Sequence, residues 1–130
     1  MTKYNIEPVE ILRFSDGNVS HVKDLVSVEE PVSIVVQSVN ENGEFISKPL
    51  SITMRTPGND IDLVSGFLFT EGVIKSSEDI LEITIDEESE NAEVLVKLND
   101  DVIIDWKRLE RSFYKSSSCG VCGKNSIEAV

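Results

Sequence analysis

A series of paired apolar runs, each pair joined by residues that favour a turn, constrains the fold most strongly. Asp16-Gly17 and Asn42-Gly43 each separate two such runs. Asp-Gly and Asn-Gly in this position are typical of β-hairpins, because tight hairpin turns need a positive φ. A third pair alternates apolar and polar residues over 81–86 and 93–98, with a polar connector over 86–91. The sequence therefore predicts three antiparallel hairpins.

Pro49 lies inside the return run of the second hairpin, which extends from residue 45 to residue 54. Proline has no N–H to donate to a neighbouring strand, so it is confined to edge strands, bulges and interruptions. We therefore expect one of these three at Pro49.

After Pro57-Gly58 the apolar residues no longer recur at every second position but at every third or fourth. This change predicts a helix over 60–71. Asn59 is suited to the N-cap, and Gly72 to the position after the helix end. The apolar residues of the segment fall on one helical face: Ile61, Val64, Phe67 and Leu68.

A second helix is predicted over 102–113, behind Asp100 and Asp101. Its apolar residues again have helical spacing: Val102, Trp106, Leu109 and Phe113. We interpret Trp106 and Phe113 as core residues. The predicted fold class is α+β, with antiparallel hairpins and two helices in a domain over 1–115.

Composition narrows the class of protein without giving a function. The 130 residues carry 12 Lys and Arg against 24 Asp and Glu, a formal net charge of −12. Such a charge disfavours nucleic acid and anionic lipid as partners. The sequence shows neither a membrane-spanning run nor a signal peptide, and it has only two cysteines. We therefore expect a reduced, cytoplasmic setting.

The segment 116–130 differs from the rest of the chain. Residues 116–124 are rich in Ser and Gly, and Asn125 with Glu128 resembles a capping box that opens a helix. We interpret 116–130 as a Cys-x-x-Cys loop followed by the start of a truncated second domain.

Both cysteines lie in the motif Cys119-Gly120-Val121-Cys122, which is open to four interpretations. A structural zinc site would need two further ligands from a downstream domain or a second subunit. A thioredoxin-like dithiol would normally open a helix early in an α/β unit. Two buried, inert thiols are the third alternative. The fourth is a thiolate that acts as a nucleophile or sulfur carrier, for which glycines supply flexibility and Lys124 a nearby positive charge.

The cysteine segment resembles the signature of the FdhD-type formate dehydrogenase accessory sulfurtransferases. Three other segments follow the same family's order: Glu29-Glu30-Pro31, the run 54–58 with 62–63 and 66–74, and Arg111-x-Phe113-Tyr114. The resemblance covers about residues 29–124.

The resemblance implies a sulfurtransferase that takes persulfide sulfur from a cysteine desulfurase. The acceptor would be the molybdenum (or tungsten) bis(molybdopterin guanine dinucleotide) cofactor of formate dehydrogenase. By motif, Cys119 would carry the persulfide, and Cys122 would assist the transfer or act as a second carrier. A second domain resembling the cytidine deaminase fold would hold most of the cofactor pocket, together with any basic surface for the dinucleotide.

Two questions stay open at this point. Arg55, in the matching segment, is suited either to an anion or partner contact or to an ion pair with Asp60 or Asp62. The whole fragment, in turn, is either a sulfur carrier or a non-catalytic piece that binds a partner or forms a homodimer without a cofactor pocket.

Overall fold

The fold consists of two β-sheets, one of two strands and one of four. The computed structural model describes residues 5–88 and 92–109. The six strands are β1 (Ile6–Ser15), β2 (Asn18–Ser27), β3 (Glu30–Val39), β4 (Phe45–Arg55), β5 (Ile80–Asp86) and β6 (Ala92–Leu98). Helix α1 (Asp60–Thr70) precedes a short 3-10 helix, Ser77–Asp79, and residues 106–109 are helical.

The three predicted hairpins are confirmed. Asp16 and Gly17 have φ values of 51° and 78° and connect β1 to β2 in two residues. In the second turn Gly43 has a φ of 79°, and the Asn40 side chain accepts hydrogen bonds from the backbone N–H groups of Asn42 and Glu44. The turn residues predicted from the sequence therefore have the backbone conformation that a hairpin turn requires.

The interruption expected at Pro49 is a β-bulge on an edge strand. Ile34 pairs with Ser51 and Val35 with Pro49, so Leu50 has no partner on β3. β4 is the outer strand of its sheet, and an edge strand tolerates the N–H that proline lacks.

The arrangement of the hairpins differs from the antiparallel one that the sequence predicts. The four-stranded sheet has the order β4-β3-β6-β5, and β3 runs parallel to β6. The sheet is therefore mixed, and the fold is mostly β with short helices. The physical reason is that β3 and β6 each bury apolar side chains and so belong at the centre of a covered sheet.

The core lies on one face of the four-stranded sheet, where the alternate residues Val32, Ile34 and Val36 of β3 are fully buried. Val64 and Leu68 of α1 belong to the same cluster. The buried cluster is completed by residues of β4, β6, the loops and the second helix: Leu50, Val73, Ile74, Ala92, Val94, Val96, Leu98, Val102 and Leu109.

Helix α1 begins and ends close to the predicted positions. Asn59 occupies the N-cap through its carbonyl, which accepts from the Leu63 N–H at 3.0 Å, and its side chain makes no cap hydrogen bond. At the other end Gly72 has a φ of 74°, and Val73 donates to the Leu68 carbonyl at 2.9 Å. The Gly72 N–H also donates to the Phe69 carbonyl, at 3.1 Å, and the two bonds together form a Schellman motif.

The apolar face of α1 is narrower than the sequence predicts. Val64 and Leu68 are buried and Phe67 is half-buried, but Ile61 is 51% exposed. Ile61 lies in the first helical turn, beside the buried Asp60, and the prediction that it faces the core is wrong.

The second helix begins one turn later than predicted. Residues 102–105 are not helical, and Val102 donates instead to the Asn99 carbonyl in a turn. The N-cap is Asp105, whose side chain accepts from the Arg108 N–H at 3.1 Å and whose carbonyl accepts from Leu109. The predicted range 102–113 is therefore wrong at its start, and its end lies outside the described residues.

Candidate functional site

The two cysteines predicted to carry the chemistry, Cys119 and Cys122, lie outside the described residues, as does the whole segment 116–130. The structure describes the part of the chain that precedes them, up to residue 109. That region contains the end of α1, the loop before the second helix, and the helical residues 106–109.

Arg55 forms a buried ion pair, which decides between the two roles considered for it. Its Nε donates to Asp60 Oδ1 at 2.9 Å, and its Nη2 donates to Asp60 Oδ2 at 3.2 Å. Nη1 approaches the Glu30 carbonyl at 3.4 Å, and the Arg55 side chain is 5% exposed. A guanidinium held by two parallel bonds and buried in this way is a structural link between β4 and α1. Asp60, and not Asp62, is its partner.

A cleft of about 140 Å³ opens between the end of α1 and the start of the second helix. Its lining comes from both elements: Glu71, Gly72, Val73, Ile103, Ile104, Asp105, Arg108 and Leu109. Arg108 Nη2 lies 3.5 Å from the point where a Cβ on Gly72 would be. The guanidinium therefore lies within ordinary van der Waals distance of the helix end.

The size of this cleft limits what it can bind. Pockets for drug-sized ligands are about 300–1,000 Å³, which is larger than this cleft. The cleft is thus suited to a few waters or one small polar group, and it is too small for a dinucleotide. Two carboxylates, Glu71 and Asp105, line it with a single guanidinium, so its charge does not favour an anion.

Trp106 packs against the hydrophobic core, as predicted from the sequence. The Lys48 ammonium lies 5.0 Å from the centroid of its ring, within the range of a cation–π interaction. The indole thus contacts both the core and a lysine. Phe113, assigned the same role, lies outside the described residues.

No group of three or more metal-ligating side chains occurs within residues 5–88 and 92–109. His21, the one histidine of the sequence, is exposed on β2 opposite Leu12. The zinc interpretation of the cysteine motif depends on residues outside this part of the chain. In the same described residues, no helix combines the length and apolar character that a bilayer crossing requires.

Sequence reasoning missed the cleft and the part that Asp105 and Arg108 play in it. The signal was available, since an Asp before Trp106 is a good N-cap. Asp100 and Asp101 offered the same signal one turn earlier, and the apolar spacing favoured the earlier start.

Comparison with known proteins gives a consistent result. The sequence model of the FdhD/NarQ family matches residues 27–130. The sulfur carrier protein FdhD of Streptomyces coelicolor is 42% identical over 127 residues, covering 93% of this chain and 42% of that protein. The sulfur carrier protein FdhD of Sulfolobus acidocaldarius is 36% identical over 125 residues, covering 96% of this chain and 43% of that protein.

A solved structure supports the fold. The crystal structure of a protein assigned as a formate dehydrogenase accessory protein from Desulfotalea psychrophila superposes with a TM-score of 0.60 at 20% identity. The match covers 78% of this chain and 38% of that one. This chain spans about two fifths of the length of the curated relatives it matches. With the family model covering residues 27–130, the chain belongs to the FdhD/NarQ family.

Proposed function

We propose that this chain is the sulfur-carrying part of a sulfurtransferase that serves formate dehydrogenase. The observation that carries the proposal is the family match, which extends through the Cys-x-x-Cys motif to residue 130. Relatives that span this motif are named sulfur carrier proteins. Cys119 is the proposed carrier, and Cys122 its assisting thiol.

Loading consists of a thiol exchange that needs no external oxidant. The Cys119 thiolate attacks the terminal sulfur of a persulfide on a cysteine desulfurase. The S–S bond of that persulfide breaks, the desulfurase thiolate leaves, and Cys119 retains the transferred sulfur as a new persulfide. The number of S–S bonds is unchanged, so the step is redox-neutral.

Delivery releases the sulfur as hydrosulfide, at the oxidation level of sulfide. Attack by the Cys122 thiolate on the inner sulfur of the Cys119 persulfide expels hydrosulfide and forms a Cys119–Cys122 disulfide. The two electrons carried by the released sulfur come from the two thiols, and a thiol reductant must then restore both. The acceptor is the molybdenum bis(molybdopterin guanine dinucleotide) cofactor of formate dehydrogenase, which is cargo for this protein and has no part in its folding.

The described residues support a division of labour between carrier and cofactor pocket. The cleft beside Gly72 is too small for a guanine dinucleotide and carries two carboxylates. The chain also has a net charge of −12, which repels a pyrophosphate. We therefore propose that the dinucleotide pocket belongs to the part of the relatives that this chain does not span.

Mass spectrometry of the chain after incubation with a cysteine desulfurase, pyridoxal phosphate and cysteine tests the carrier assignment. We expect one or more added sulfur atoms, removed by a thiol reductant, on a chain that lacks Cys122, whereas the wild-type chain, whose Cys122 can expel the sulfur, should gain a Cys119–Cys122 disulfide. Cys122→Ser should still load on Cys119, and Cys119→Ser should lose the stable adduct. Cys119→Ser serves as the matched control because it retains one thiol of the same motif.

Two results would contradict the proposal. Full loading of Cys119→Ser would assign the carrier role to Cys122 instead. Stoichiometric zinc in a colorimetric release assay, with neither thiol titratable until the metal is removed, would favour a structural site.

The second candidate is a non-catalytic fragment that binds a partner or self-associates. Absence of both a sulfur adduct on Cys122→Ser and a Cys119–Cys122 disulfide on the wild-type chain, together with a cooperative unfolding transition, would support this candidate.

A further inference from the structure

Asn42, in the turn between β3 and β4, is the one asparagine of the sequence that glycine follows. An asparagine side chain can react with the backbone nitrogen of the next residue, and a side chain on that next residue obstructs the approach. Gly43 offers no obstruction, because nothing lies within 4 Å of the point where its Cβ would be. Every other asparagine precedes a residue with a side chain: Asn5, Asn18, Asn40, Asn59, Asn91, Asn99 and Asn125.

The folded turn holds the nitrogen that would react. The Gly43 N–H donates to the Asn40 carbonyl at 3.0 Å. The Asn40 side-chain oxygen accepts from the N–H groups of Asn42 and Glu44, each at 2.9 Å. Asn40 also donates to Glu44, from its N–H to the carbonyl at 2.9 Å and from its side-chain amide to the carboxylate at 3.1 Å. We call these hydrogen bonds the Asn40 bonds.

The turn lies at the tip of the β3-β4 hairpin, where it can open without disturbing the core. Residues 41–45 are all exposed, and the nearest fully buried core residue of β3 is Val36. Exposed hydrogen bonds at the end of an element open locally at a small fraction of the free energy of global unfolding. Opening of the bond between Gly43 and Asn40 frees the nitrogen while the sheet stays folded.

We propose that Asn42 is a site of spontaneous deamidation in the folded chain, and that the Asn40 bonds set its rate. A bond forms between the Gly43 nitrogen and the side-chain carbonyl carbon of Asn42, and the bond from that carbon to the amide nitrogen breaks. Ammonia leaves with the proton of the Gly43 N–H, and a cyclic imide remains.

One water molecule then opens the imide. Addition of water at the side-chain carbonyl gives aspartate, and addition at the main-chain carbonyl gives isoaspartate. The net change consumes water and releases ammonia, so no oxidant or reductant takes part. Either product places a new carboxylate between Glu41 and Glu44.

The isoaspartyl product also alters the turn. Its backbone contains one more carbon atom between residue 42 and Gly43 than the original chain. Because the register of a hairpin depends on the length of its loop, the lengthened turn cannot make all of the Asn40 bonds. We therefore expect the isoaspartyl chain to unfold at a lower temperature than Asn42→Asp, which has the same charge and a normal backbone.

Peptide mapping by mass spectrometry tests the proposal on the 130-residue chain, stored folded in mildly alkaline buffer for several weeks and digested at low pH. We expect residue 42 to gain the mass that replacement of NH2 by OH adds, with an equal amount of ammonia released. The matched internal control is Asn18, which is also exposed at a hairpin turn but precedes the branched Val19. Asn18 should stay unchanged over the same period, and so should residue 42 of Asn42→Gln.

Two variants of Asn40 test its part in the rate. Asn40→Ala removes the acceptor of two hydrogen bonds and should raise the rate at Asn42 about fivefold to tenfold. Asn40→Asp keeps an acceptor oxygen suited to this kind of turn, and its rate should stay within about twofold of the wild type. Circular dichroism of each variant confirms the fold.

Three results would overturn the proposal. Conversion of Asn42 in the chain unfolded by guanidinium chloride, without conversion in the folded chain, would show that the native turn stays closed. Equal rates in the wild type and Asn40→Ala would remove the role given to Asn40. Equal conversion of Asn18 and Asn42 would show that the glycine does not select the site.

Discussion

The guanidinium of Arg55 and the carboxylate of Asp60 stabilise the fold as an ion pair, and either charge without the other is destabilising. Both side chains are at most 7% exposed, and two hydrogen bonds join them. Removing one member of a buried pair leaves an uncompensated charge, which costs about 3–5 kcal/mol. We expect Arg55→Ala to lower the free energy of unfolding in urea by that amount.

The matched control is the exposed pair Lys97–Glu82, with a 3.5 Å separation and side chains that are 46% and 60% exposed. Exposed pairs contribute about 0–1 kcal/mol, so Lys97→Ala should change stability little. Equal losses for the two alanine variants would contradict the structural role of Arg55.

Replacing each of two glycines in the α1 region by alanine should change the stability of the fold in opposite directions. Gly72 has a φ of 74°, where an added Cβ is strained, and we expect Gly72→Ala to destabilise by about 1 kcal/mol. Gly66 lies inside the helix with open space around its Cβ position. Gly66→Ala should stabilise by about 0.5–1 kcal/mol. Thermal unfolding measures both, and a change of the same sign in both would contradict the assigned end of the helix.

At the scale of the element, the start of the second helix can be tested directly. Asp105 accepts a hydrogen bond from the Arg108 N–H, and loss of an N-cap costs about 1 kcal/mol. Asp105→Ala should therefore lower the free energy of unfolding by about 1 kcal/mol. Asp101→Ala, at the start favoured by the sequence, should have less than about half that effect. The reverse ranking would restore the predicted start before Val102.

The elements could be predicted from the sequence wherever their signals are local. Asp16-Gly17 and Asn42-Gly43 determine their turns through backbone conformation, and Gly72 ends α1 for the same reason. The local sequence does not determine whether Asp101 or Asp105 is the N-cap of the second helix, because both are suitable caps and Val102 fits either a helix or a turn. The structure places Val102 in a turn, where its N–H donates to the Asn99 carbonyl.

At the scale of the whole molecule, sequence reasoning failed where two distant segments meet. The turns predict which strands form hairpins, but nothing in them indicates that β3 joins β6, or that the two run parallel. Of the candidate site, the sequence gives the cysteines and the pairing of Arg55 as one of two alternatives. The cleft beside Gly72 requires α1 and residues 103–109 to come together, which only the tertiary structure determines.

The hairpin and the four-stranded sheet should be separable. None of the described residues 5–27 is buried, and one hydrogen bond, from the Val28 N–H to the Asn5 carbonyl, joins the open end of the hairpin. We expect a chain that begins at Ser27 to unfold cooperatively, with a free energy within about 1–2 kcal/mol of the 130-residue chain. Urea denaturation followed by circular dichroism measures this. Loss of the cooperative transition would show that the hairpin is part of the folding unit.

The parallel pairing of β3 with β6 has a consequence for the newborn chain. Val32 pairs with Ala92, sixty positions later, so β3 is synthesised long before its inner neighbour exists. At about 5–20 residues per second, the wait lasts about 3–12 s. During that time β3 and β4 can already form their hairpin, with the inner edge of β3 unpaired. A strand in this condition is a substrate for chaperones and a seed for aggregation, so slower translation between β4 and β6 should lower the yield of folded protein.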